Sequence, residues 1–272
     1  MRGLALVSAC AVALLSLAGL AQASTVTVSA AGVMRLDARA GEVNGVTLRE
    51  ATLARGWAYT VDDVAGLEVG RGCTRLSVTA AQCIIGQVSD PLLGARPIRR
   101  IVLSLGDRAD SSDVFTFDGF ASVDVRGGAG DDVLAGGPAV PSDGSYSVSG
   151  DAGADSIVGL ATNGGAVDID GGPGDDRVST TGLIGEGSVR GGPGDDTFTI
   201  GAGVFATIDG GAGRDTITTL NPGAFIVPTV LGGRGDDTID AAGASSIDCG
   251  QGLDRYRVYD GQASSRCEVP LP

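Results

Sequence analysis

Histidine and lysine are absent from the 272 residues, and aromatic residues make up only 4%. Without histidine there is no zinc site of the H-E-x-x-H kind and no Ser-His-Asp or Cys-His catalytic arrangement. The G-x-S-x-G elbow of serine hydrolases is missing as well. So few aromatics leave no material for a bulky core, yet a hydrophobic content of 43% argues against disorder. Beyond residue 23, nothing approaches the roughly 18 unbroken apolar residues of a membrane span. Helical periodicity is lacking over residues 101 to 260, where each glycine would cost a helix about 1 kcal/mol. What remains is an all-β fold with a thin core.

Glycine and aspartate are what the chain has in excess. There are 46 glycines, and 33 acids stand against 19 bases for a net charge of −14. Of the acids 28 are Asp and 5 are Glu, and 24 of the Asp lie from Asp107 onward. Solubility alone would be served as well by Glu. The bias marks a role for a short carboxylate that reaches its target from a tight turn. So acidic a chain repels phosphate backbones and anionic lipid, which excludes nucleic acid as a partner. The absence of Lys beside abundant Gly, Ala and Arg points to a GC-rich bacterial source.

The first 23 residues read as a secretory signal peptide. Arg2 supplies the positive end, Leu4 to Leu20 the apolar stretch and Ala21-Gln22-Ala23 the cleavage site. The expectation is a secreted, extracellular protein whose mature chain starts at Ser24. Cys10 leaves with the signal, and four cysteines remain. They admit three connectivities, and the short loops favour Cys73 with Cys83 and Cys249 with Cys267.

A repeated frame organises residues 127 to 258. Motifs start at Gly127, Gly150, Gly171, Gly191, Gly210, Gly232 and, in variant form, Cys249, at intervals of 17 to 23 residues. In each copy the fourth place is Gly, and the sixth is Asp132, Asp155, Asp176, Asp196, Asp215, Asp237 or Asp254. The eighth place is always large and apolar or aromatic, from Leu134 to Tyr256, and two residues before each motif stands Val or Ile. The frame describes a strand, a glycine turn through positive φ, a second strand and a looser turn of variable length. Such a unit of about 20 residues buries its apolar face only by stacking on its neighbours, as one rung of a parallel β-roll or β-solenoid.

These residues resemble the hemolysin-type calcium-binding (RTX) repeat, G-G-x-G-x-D-x-U-x with U a large apolar residue. "GGAGDDVLA" at 127 to 135 fits every specified position, as do the copies at 171, 191, 210 and 232. The copy at 150 has Asp151 for the second glycine, and the last has Cys249 for the first. The resemblance implies Ca²⁺ between successive loops, held by the sixth-place aspartates and by backbone carbonyls of Gly127, Gly171, Gly191, Gly210 and Gly232. Seven loops would make six sites. A degenerate rung at 105 to 115 places Asp113 in the Asp slot and adds a seventh. The chain departs from the family's tandem repeats in that its spacing puts the loops along one edge only. Stacked about 4.8 Å apart, the sixth-place carboxylates would form a column of like charge that calls for a cation. As plain turns capped by their own side chains, the loops would accept Asn or Ser equally, whereas all seven copies use Asp.

The expected organisation is a signal at 1–23, a β cap or metal-free early rungs at 24–104, the calcium-binding solenoid at 105–258 and a disulfide-linked cap at 259–272. The fifth-place acids Asp131, Asp175, Asp195 and Asp236 are not present in every copy and read as a solvated face. The leading expectation is a non-enzymatic solenoid in which calcium is coupled to folding. A carbohydrate-binding or adhesion module that meets extracellular polysaccharide or a cell surface is the alternative, and an acidic-polysaccharide lyase or epimerase comes after it.

Overall fold

The computed structural model describes residues 23–53, 56–84, 98–115, 122–136, 144–161, 165–182, 185–201, 204–220, 228–257, 259 and 262–272. The expected signal peptide, up to residue 22, and most of the variable turns lie outside them. Among the described residues there is no helix, and the strands form two long sheets of 12 and 13 members.

Each rung contributes one strand to each sheet. In the first sheet Ser122–Ala129, Ser145–Ala152, Ala166–Asp170, Gly185–Pro193, Val204–Ala212, Thr229–Arg234 and Ser246–Gln251 lie side by side, all parallel. The second sheet stacks Val133–Gly136, Ser156–Ala161, Arg177–Gly182, Thr197–Ile200, Thr216–Thr219, Thr238–Ala241 and Arg255–Arg257 in the same sense. The sequence frame is the structural register. Val125, Val148, Ile169, Val189, Ile208, Val230 and Ile247 pair in one row. Leu134, Ile157, Val178, Phe198, Ile217, Ile239 and Tyr256 pair in the facing one. All but the half-buried Tyr256 are at most 2% exposed. Alternation along each strand sends these residues inward and their neighbours to solvent.

The turn between the two strands of a rung is possible only with glycine at its fourth place. At Gly174 φ is +143°, and a Cβ there would collide with the backbone of Gly153 on the preceding rung. Successive turns therefore nest into one another along a single edge of the solenoid.

Both ends carry the sheets further than the motifs do. The expected boundary at 104/105 falls inside the strand Arg100–Gly106, which pairs with Val33–Asp37 on one side and Ser122–Ala129 on the other. Val33–Asp37 and Gly45–Leu53 supply a rung parallel to the rest, and antiparallel hairpins then close that end. Cys73 pairs directly with Cys83 across one hairpin, and the two are disulfide-bonded. At the other end Ala263–Ser265 and Val269–Pro270 add a final short rung, tied to the one before by Cys249–Cys267.

Candidate functional site

The nested turns gather the sixth-place aspartates into a buried column. Asp132, Asp155, Asp176, Asp196, Asp215, Asp237 and Asp254 are each at most 2% exposed. In each, Oδ1 accepts the backbone N–H of the column residue one rung earlier. Asp155 N–H donates to Asp176 Oδ1 at 2.8 Å, Asp176 N–H to Asp196 Oδ1 at 2.8 Å and Asp196 N–H to Asp215 Oδ1 at 2.9 Å. The same link joins Asp132 to Asp155, Asp215 to Asp237 and Asp237 to Asp254. Each carboxylate thus clamps its rung to the preceding one.

The degenerate rung also enters this column, through a different residue from the one expected. Pairing of Ser111 with Val133 puts Asp110 in the sixth place, and Asp110 N–H donates to Asp132 Oδ1 at 2.7 Å. Asp113 lies three residues on, opposite Ala135, outside the column. An apolar residue was demanded at the eighth place, but the position is filled by the buried Ser112.

The second oxygen of every carboxylate has no partner. Oδ2 of all eight, Asp110 included, is buried without a hydrogen bond. Its surroundings are defined by the first-place glycines. A Cβ on Gly171 would lie closer than 3.0 Å both to Asp176 Oδ2 and to the carbonyl oxygen of Gly191 on the next rung. The same holds at Gly127, Gly150, Gly191, Gly210 and Gly232, so six gaps repeat in which an orphaned carboxylate oxygen converges with a carbonyl of the following rung. Those carbonyls belong to Gly150, Gly171, Gly191, Gly210, Gly232 and Cys249. A carbonyl has two lone pairs, so that of Gly191, which accepts Gly172 N–H at 2.9 Å, retains one. Two acceptors share each gap with no donor between them.

The N-terminal end shows what closes such a gap. Asn44 stands opposite Asp110, and its N–H donates to Asp110 Oδ1 at 2.6 Å, as in the rest of the column. Its side-chain Nδ2 donates to the carbonyl of Leu105 at 2.7 Å, and Leu105 holds the first place of the following rung. Asn44 Oδ1 faces Ser24 Oγ at 2.9 Å, which also meets Asp63 Oδ2 at 2.5 Å. The amide nitrogen sits where each aspartate has its orphaned oxygen. At the opposite end Asp254 N–H donates to Glu268 Oε2 at 3.1 Å, so a longer acid takes the column position in the shortened last turn.

Burial dominates the electrostatics. It pushes the carboxyls of Asp132, Asp176, Asp196 and Asp237 up to about 7 and that of Asp215 up to about 6. Asp110, Asp155 and Asp254 are raised for the same reason. The accepted backbone N–H acts in the opposite sense, and neighbouring carboxylates add to the rise. Either a proton on Oδ2 or a cation relieves the conflict. Among the described residues no three acidic side chains converge on one point. A cation here would therefore be held by one carboxylate oxygen per gap together with backbone carbonyls. A hard, oxygen-seeking ion suits that donor set, and a thiolate- or imidazole-seeking metal does not.

Sequence reasoning missed Asp110, Asn44 and Glu268, and it missed a second ladder on the surface. Asp131, Asp175, Asp195 and Asp236 accept N–H groups of Ala154, Asp195, Arg214 and Leu253 on the next rung at 2.8 to 2.9 Å. These fifth-place acids are exposed, as expected of a solvated face, but each also pins one rung to the following one. No family model matches the chain, and no curated protein or solved structure matches it either. The resemblance to the RTX repeat therefore rests on the repeated residues alone.

Proposed function

We propose that the chain is a calcium-binding β-solenoid, secreted and non-enzymatic, in which ion binding between rungs is coupled to folding. The observation that carries this reading is the repeated gap between an orphaned, buried Oδ2 and the next rung's carbonyl. Bound Ca²⁺ would supply the positive charge and the oxygen affinity that the gap lacks. Asp132, Asp155, Asp176, Asp196, Asp215 and Asp237 would contribute the carboxylates. Gly150, Gly171, Gly191, Gly210, Gly232 and Cys249 would contribute the facing carbonyls.

Coupling follows from the placement of these groups. The carboxylate and the carbonyl of a gap belong to successive rungs, so a site exists only once those rungs have stacked. Binding free energy is then folding free energy. Without the ion, the ionised column opposes the stacking that buries the Val and Ile rows.

The test is a calcium titration of the mature chain, followed by far-UV circular dichroism and calorimetry, with Mg²⁺ as control. The expected result is a gain of β signal with several Ca²⁺ bound and little response to Mg²⁺, whose demand for octahedral geometry and reluctance to shed water fit carbonyl-lined gaps poorly. Full β structure in chelator, with no heat of binding, would defeat the reading.

A further inference from the structure

The outward face of the first sheet carries a notch that the column does not explain. On the strand Ser145–Ala152 the outward residues at the middle of the sheet are Ser147 and Ser149. Register pairs Ser147 with Asp124 on one side and Asp168 on the other, and Ser149 with Arg126 and Asp170. Two short side chains between longer walls leave a trough of about 380 Å³, bounded at one end by Arg190. That volume lies within the usual range for ligand sites, but the side chains that face it are those of Asp, Arg and Ser, since Val148 and Ile169 turn theirs into the core.

The walls are not all committed to one another. Asp124 is paired with Arg100, Asp168 accepts from Ser188 and Asp151 accepts from Ser149. Arg126 and Asp170 make no side-chain hydrogen bond or ion pair among the described residues, and Arg190 makes no side-chain hydrogen bond there but stands opposite Asp209, whose carboxylate it favours. They lie with Ser149 in one row across four successive strands, Arg126, Ser149, Asp170, Arg190. At a strand spacing of about 4.8 Å the row spans about 14 Å along the solenoid axis.

We infer that this trough is a binding site for a neutral, hydroxyl-rich glycan lying along the solenoid axis. A hydroxyl both donates and accepts, so it is served by a wall that alternates guanidinium donors with carboxylate and serine acceptors. The lining carries four carboxylates, Asp124, Asp151, Asp168 and Asp170, against the two guanidiniums of Arg126 and Arg190, a net of −2. That excess repels a uronate polymer, and Arg126 and Arg190, at the two ends of the row, leave no unbroken acidic strip for a polycation. No exposed apolar or aromatic side chain is present to hold an apolar ligand. The trough opens on the sheet face and borders the turns only through Asp151 and through Asp170 beside Gly171, so calcium is kept saturating in its test.

The experiment uses the mature chain in calcium-containing buffer on an immobilised panel of neutral hexose, amino-sugar and uronate oligosaccharides. Saturable binding is expected for the neutral class. The double variant Asp170→Ala, Arg190→Ala should weaken it at least tenfold, and Ser149→Trp, which fills the trough, should abolish it. Both variants are compared with the parent by circular dichroism, and if Ser149→Trp fails to fold, the double variant on the exposed row decides. The inference is overturned if no class binds, if uronates or amino sugars are preferred, or if binding survives the double variant. Because calcium is present throughout, such a failure leaves the calcium titration untouched.

Discussion

At the N-terminal end of the column the gap between rungs is closed by the Asn44 amide, whereas from Asp132 to Asp237 the same gap sets a carboxylate oxygen against a carbonyl. In both arrangements one side-chain oxygen accepts a hydrogen bond, from the Ser24 hydroxyl at Asn44 and from the preceding rung's backbone N–H at each aspartate. At the atom that faces the next rung's carbonyl they differ, nitrogen for oxygen, and hence a donor for an acceptor. The Asn44 rung is complete with protein atoms alone. The aspartate rungs leave an acceptor facing an acceptor, which a proton or a cation would relieve. Under the proposed reading, Asp at every repeated position, where Asn would satisfy the carbonyl, makes stacking conditional on that proton or cation.

The largest effect separating the two regions should come from pH. The column aspartates have folded-state values raised above the ordinary 3.8, up to about 7 in four of them. The folded chain therefore binds more protons than the unfolded chain between those limits. The column's contribution to stability in chelator is fully present below pH 3.8 and is lost as pH rises through about 7. Thermal melts in chelator across pH 4 to 8 should show the melting temperature falling as pH rises, and saturating Ca²⁺ should flatten the profile. A melting temperature in chelator that rises over this range would contradict the assignment. Asn44, which does not titrate, contributes nothing to the slope.

Gly191→Ala should come next. Its Cβ would collide with Asp196 Oδ2 and with the Gly210 carbonyl, so the gap is filled by a methyl group that nothing flexible can avoid. A loss of about 3 kcal/mol is expected from denaturant unfolding in calcium, typical of severe overpacking. Bound calcium should fall as well, and a variant of unchanged stability would mean that the gap is wider than described.

Asn44→Asp converts the closed rung into an open one. It removes the donor to Leu105 O and sets a new carboxylate beside Asp63. A cost of about 1–3 kcal/mol in chelator follows from leaving a buried carbonyl unsatisfied. The smallest effect belongs to the reverse exchange. Asp176→Asn can keep the acceptor for Asp155 N–H and supply a donor to Gly191 O. It should raise stability in chelator at pH 8 by about 1 kcal/mol while lowering the calcium bound. If Asp176→Asn instead destabilises the metal-free chain, the equivalence with Asn44 fails.

How much of this was legible in the sequence depends on the strictness of the repeat. Where Gly, Asp and an apolar residue recur at fixed places, from Gly127 to Tyr256, spacing alone fixes which residues pair and which face inward. A slip of one residue would expose every Val and Ile. Where the repeat degenerates, the same logic misleads. Asp113 was placed by the apolar residue that follows it, but the register is set by strand pairing on both sides, which selects Asp110 and accepts Ser112 in the core. Asn44 was hidden because the described strands from Gly45 to Ile84 make hairpins before the next parallel rung begins. Glu268 was hidden because its turn is shorter than the motif, and the extra methylene makes up the reach. The outer ladder was invisible because its acids donate nothing to the pattern and act only through backbone groups a full rung away.

The most direct measurement is anomalous diffraction from a crystal of the mature chain grown in calcium. Six peaks are predicted, each between a column Oδ2 and the carbonyl of the next rung, with none between Asn44 and Leu105. A column without peaks at neutral pH, with every Oδ2 within hydrogen-bonding distance of its carbonyl, would show protons in place of calcium and contradict the proposal.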